Sequence, residues 1–244
     1  MSFRAIPWLL AALLLALPAR AAPDCDVPAD YLSVPRPFFA TARALQSGAL
    51  RILVLGSGSV TGVGASTAEA AWPIRLQLLL AARYPQRDIE VTVRGGRGIN
   101  VNDHLALLRS EPPGAAPALV LWQAGTVEAV RGMDPDEMTD AMMAGLERIR
   151  LWGADTVIID PQFSRFLRTN TNIEPYREKL RLIAASAGAP VLRRYDLMQY
   201  WIDSGALDIE RTPRREIPAA MDRLNDCLAR ALASLIVQGV TEAR

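Results

Sequence analysis

Short apolar runs alternate with helix-spaced apolar residues along most of the chain. The runs at 52–55, 89–93, 118–122, 156–159 and 190–192 read as buried strands. Between them lie helical patterns. Residues 68–82 carry Trp72, Leu76, Leu79 and Leu80 on one side, and 100–109 predicts a short helix. Asp134-Pro135-Asp136-Glu137 is a helix start: a capping residue, a proline at the first position and a glutamate at the third. Met138, Met142, Leu146 and Ile149 follow at helical spacing and are expected in the core. Residues 173–187 form the next helix, stopped by Gly188, and 218–237 the last, with Leu224, Leu228, Ala231, Leu232 and Leu235 on one stripe. Strands alternating with helices imply an α/β fold whose parallel sheet is covered on both faces. Residues 111–117 read as a surface connection. Residues 206–218 read as a long loop near the carboxyl edges of the strands. Its Arg211, Arg214 and Arg215 are expected to be solvated, with an anion contact as the sharper alternative.

The first residues carry a different signal. Arg4 precedes an apolar stretch, and Ala19-Arg20-Ala21 is a small-x-small cleavage site. Residues 1–21 therefore read as a signal peptide and 22–244 as one domain, in the periplasm or secreted; an N-terminal anchor is the runner-up. Removing Arg4 and Arg20 takes the formal charge from +1 to −1, so no overall field draws in nucleic acid or a membrane surface. Half of the residues are hydrophobic, which argues against disorder. Cys25 and Cys227 are the only cysteines; in an exported chain an even, minimal count suggests one disulfide. Two cysteines and a lone distant histidine do not build a zinc site, so no metal or cofactor is expected.

The segment from Arg51 to Ser66 carries the chemistry. An apolar strand runs into Gly56-Ser57-Gly58-Ser59-Val60-Thr61-Gly62, a hydroxyl-rich turn at a strand's carboxyl end, where α/β proteins hold ligands. It resembles the first block of the SGNH (GDSL-type) hydrolases, Gly-Asp-Ser-x-Thr-x-Gly. Gly95-Gly96-Arg97-Gly98 resembles the second block, whose last glycine offers a backbone N–H to an oxyanion. Trp122-Gln123-Ala124-Gly125-Thr126-Val127-Glu128 resembles the third, Gly-x-Asn. Asp160-Pro161-Gln162 and the segment Leu192 to Met198 resemble a bacterial exported branch of the family. The resemblance implies a three-layer, flavodoxin-like fold with strand order 2-1-3-4-5.

The departures fall on the chemistry. Gly58 stands where the family has its nucleophilic serine, and Val127 where it has asparagine. Aligned on Cys227-Leu228-Ala229, the Asp-x-x-His block places Glu216 and Ala219 at the aspartate and histidine. The sole histidine, His104, lies elsewhere. Serine catalysis needs a base and an oxyanion hole, and of the four name-giving residues only Gly98 remains.

The expectation is a degenerate hydrolase with a vestigial pocket of Ser57, Gly58, Ser59, Gly98, Gly125, Val127, Glu128, Glu216 and Ala219. It would bind a glycan, an acyl group or an envelope protein. The alternative is an active ester hydrolase or acyltransferase on acylated carbohydrate or lipid. Ser57 or Ser59 would then be its nucleophile, with His104 or a carboxylate such as Asp103, Glu128 or Asp160 as base. A structural component of an envelope assembly is a third possibility. For the ordinary roles, His104 would pack a helix, the acids would cap helices, and Trp72, Trp122, Trp152 and Trp201 would be core or rim.

Overall fold

The computed structural model describes residues 25–111 and 116–243. The expected signal peptide lies outside the described residues, as does most of the 111–117 connection. The elements run α1 (Phe39–Ser47), β1 (Ala49–Gly56), α2 (Trp72–Arg83), β2 (Asp88–Gly95), α3 (Val101–Ser110), β3 (Leu119–Gln123), α4 (Thr126–Arg131), α5 (Pro135–Leu151), β4 (Asp155–Ile159), α6 (Arg165–Asn170), α7 (Glu174–Ala187), β5 (Val191–Leu192), α8 (Arg194–Asp203) and α9 (Ile217–Glu242). The five strands are parallel in the order β2-β1-β3-β4-β5, as the resemblance implies. Helices α2, α9 and α1 pack together, as do α3, α5 and α7, and these are the two outer layers.

The central strands are apolar because both faces are covered: every residue of β3 is buried. Trp122 fits between sheet and helix because Gly145 of α5 has no side chain; a Cβ there would overlap the indole. Met138 and Met142 are fully buried, and so are Trp72, Trp122 and Trp201, whereas Trp152 is half-buried.

Several boundaries differ from expectation. Residues 68–70 form a separate 3-10 turn, and α2 begins at Trp72 with Pro73 in its first turn. The last helix runs to Glu242; near its end Gly239 leaves room for the Phe38 ring, and the Phe38 N–H donates to the Gly239 carbonyl at 2.9 Å. The 206–218 loop holds 3-10 turns at Ile209–Arg211 and Arg214–Glu216. Its arginines are solvent-facing: Arg211 lies 3.7 Å from Asp208 and Arg215 3.1 Å from Glu216. Cys25 and Cys227 form the expected disulfide, with Cα atoms 5.5 Å apart, tying the start of the described chain to α9.

Parallel strands end on one edge. Ser57, Gly96, Ala124, Asp160 and Arg193 therefore leave the sheet on the same side, which is where the family resemblance puts its chemistry.

Candidate functional site

Ser59 is half-buried in the turn after β1. Its hydroxyl donates to Gln123 Oε1 at 2.7 Å and accepts from Arg194 Nη1 at 3.2 Å. Arg194 Nη2 also reaches Gln162 Oε1 at 3.4 Å. The guanidinium is 2% exposed and its Nε has no partner among the described residues. Burial lowers it to about 10, so it stays charged at neutral pH. Ser59 is thus held between an amide oxygen and a cation; neither can accept its proton. The Ser57 hydroxyl makes no side-chain hydrogen bond among the described residues.

Gly58, which the resemblance sets at the nucleophile position, has room for a side chain if Val63 yields slightly. A Cβ there would lie 3.2 Å from Val63 Cγ2 and 3.7 Å from the Arg97 Cα. The loop is closed on itself, since the Thr61 hydroxyl and the Val63 N–H both donate to the Gly58 carbonyl, at 2.9 and 3.2 Å. It is also pinned to α9, where Asp222 accepts from the Ser66 N–H at 2.9 Å and hydroxyl at 2.5 Å. Gly98 has a φ of +80°, a conformation that favours glycine, and Arg131 Nη2 lies 3.0 Å from the position a Cβ would take.

His104 is buried on α3, where the Trp122 indole N–H donates to its Nδ1 at 3.1 Å. An indole nitrogen only donates, so Nδ1 is unprotonated and Nε2 carries the hydrogen. Burial drives the imidazole down to about 4, opposed by the nearby Gly56 carbonyl and Asp103. Nε2 completes no hydrogen bond among the described residues. The neutral ring therefore turns no lone pair toward either serine, and His104 is the helix-packing residue expected of a lone histidine.

The carboxylates are occupied as well. Buried Glu128 accepts from the Gly125 N–H at 2.7 Å and the Val101 N–H at 2.8 Å, joining the starts of α4 and α3; burial raises its pKa. Asp103 caps α3 by accepting from the Asn100 N–H at 2.9 Å. Asp160 accepts from the Tyr195 N–H at 2.9 Å and Arg177 Nε at 3.4 Å, and burial pushes it up to about 7. Arg177 continues to Glu174 at 2.7 Å and Asp196 at 2.5 Å, its guanidinium 4.0 Å from the Tyr195 ring centroid. Glu216 is exposed beside Arg215, and Ala219 is exposed in the first turn of α9.

Part of the expected pocket does come together: Ser57, Val127 and Glu128 line one crevice with Ile99, His104, Gln123, Ala124 and Thr126. Its walls meet and leave no space for a water molecule. Among the described residues no three His, Cys, Asp or Glu side chains gather as a metal site would need. Sequence reasoning missed the roles of Arg194, Gln123 and Gln162. The only signal for Arg194 was the adjacent pair Arg193-Arg194 after a strand, of which Arg193 pairs outward with Asp196 at 2.8 Å and Arg194 turns inward.

Residues 24–242 match the model of the non-GDSL lipase-like family. The chain belongs to that family. Similar folds occur in the crystal structure of TesA, 21% identical with a TM-score of 0.59, covering 76% of this chain and 99% of that one. An acetylxylan esterase from Geobacillus stearothermophilus is 18% identical with a TM-score of 0.60, covering 78% of this chain and 95% of its own. The psychrotrophic esterase EstA from Pseudoalteromonas sp. is 19% identical with a TM-score of 0.54, over 75% of this chain and 98% of that one. No curated protein sequence matches the chain. At these identities the likeness concerns the fold, which is that of the SGNH esterases.

Proposed function

We propose that this protein is an exported, non-hydrolytic member of its family that binds where its relatives cleave. The observation that carries this reading is the state of Ser59, whose hydroxyl donates to Gln123 and accepts from Arg194, with no base among its partners. Serine nucleophiles need a proton acceptor, and losing a triad member typically costs several orders of magnitude in rate. Binding energy survives such a loss, whereas transition-state stabilisation does not. Because the crevice beside Ser57 and Val127 is closed, an acyl chain has no slot to enter there. A glycan or an envelope protein lying across Ser57, Gly58 and Gly98 fits the surface better. The export part of the proposal rests on the sequence signal at 1–21 and is supported by the Cys25–Cys227 disulfide.

The test is turnover of p-nitrophenyl acetate by wild type, Ser57→Ala and Ser59→Ala. The reading expects the same background rate from all three. A wild-type rate that either substitution abolishes would establish the alternative, an ester hydrolase or acyltransferase with that serine as nucleophile.

A further inference from the structure

A second cavity lies at the other end of the sheet from Ser59. It opens where β4 begins, between the N-terminus of α1, the C-terminal half of α5 and the turn from α7 into β5, and holds about 450 Å³. That size suits a small ligand, in contrast to the closed crevice at the strand carboxyl ends.

Its walls combine apolar surface with one charged side chain that makes no polar contact among the described residues. Phe38 and Leu146 form buried wall, while Phe39 is 58% and Met143 43% exposed, so apolar surface continues from the wall to the mouth. Both acids at the cavity already accept hydrogen bonds. Glu147 is held by Arg150 through two contacts of 2.7 Å, and Asp155 accepts from the Thr41 N–H at 2.8 Å and hydroxyl at 2.7 Å. The Ser186 hydroxyl is used by the Ile183 carbonyl at 2.7 Å. Arg36 lies over Gly188 at the mouth and makes no ion pair or side-chain hydrogen bond among the described residues.

We infer that this cavity binds a linear anionic amphiphile, its carboxylate at Arg36 and its tail along Phe39, Met143 and Leu146. Arg36 is the one charged side chain lining the cavity without a partner among the described residues, so an anionic head gains a pairing there that a cationic head does not, and the trough gives a small hydrophilic anion nothing to bury. The inference is independent of whether Ser59 reacts, because it uses the opposite edge of the sheet.

Calorimetric titration of the purified protein with decanoate, decyltrimethylammonium and acetate tests it. Decanoate should saturate a single site, the cation with the same tail should bind more weakly, and acetate should not saturate. Arg36→Gln should weaken decanoate about fivefold and should not weaken the cation. Phe39→Ser, at an exposed position where folding is not at stake, should weaken both about tenfold. Ser59→Ala should change neither. The inference is overturned by no saturable decanoate binding, by equal binding of anion and cation, or by decanoate binding that survives both Arg36→Gln and Phe39→Ser. Loss of binding in Ser59→Ala would overturn it too, by moving the site to the other edge.

Discussion

The indole N–H of Trp122 donates to Nδ1 of His104, and this one contact settles the tautomer of the only histidine in the chain. The ring is buried and neutral, with its imidazole depressed to about 4 against an ordinary 6.5. Above pH 6.5 the histidine is neutral in both folded and unfolded chains. As the pH falls from there toward 4, the unfolded chain takes up the proton first, so this contribution to stability is lost on the acid side. Denaturant titrations of wild type and His104→Gln should show the wild-type advantage shrinking by about 2 kcal/mol between pH 7.5 and 4.5. A pH-independent gap would mean that the ring is solvated. Asp160, raised to about 7, carries the opposite sign: its contribution is lost as pH rises from about 4 toward 7.

Arg177 is the second point of sensitivity. Its guanidinium is shared by Asp160 and Asp196, both partly or wholly buried. Arg177→Met should destabilise the fold by about 3–5 kcal/mol, because it strands the Asp160 carboxylate. Pairing it with Asp160→Leu should recover much of that loss. Additive losses in the denaturation midpoints would show that the pair is not coupled.

The disulfide closes nearly the whole described chain, with a sequence separation of 202. Replacing Cys25 and Cys227 by serine should lower stability by about 5 kcal/mol if loop entropy governs the effect. Wild type in reductant should match the double variant in unfolding midpoint; a reductant-insensitive midpoint would contradict the bridge's contribution.

Gly58→Ser restores the nucleophile position without restoring a base. The added Cβ meets Val63, whose side chain is on an exposed part of the loop and can give way, so the cost should stay below about 2 kcal/mol. The variant should fold and still show no p-nitrophenyl acetate turnover above background. Turnover by this variant would reveal a proton acceptor that the hydrogen bonds do not show.

The sheet was readable because β1, β3 and β4 are buried on both faces and leave uninterrupted apolar runs. Helices α4 and α6, at six residues each, are too short to display a period. Helix α8 has no capping side chain at Arg193, the start signal by which the sequence marks a helix. The expected departures at Gly58, Val127 and Ala219 were drawn from the resemblance by position alone. What replaced them was not legible: Ser59 and Arg194 are 135 residues apart and meet only because two parallel strands end on the same edge. The acids considered as bases were correctly expected to serve as caps, but Glu128 does so across two helix starts, a tertiary relation that spacing does not encode.

The most direct test of the central claim is fluorophosphonate labelling of the purified, folded protein beside its Ser57→Ala and Ser59→Ala variants. An unactivated hydroxyl held by Gln123 and Arg194 should leave all three unlabelled. Labelling of the wild type that disappears in either variant would contradict the account and identify that serine as a working nucleophile.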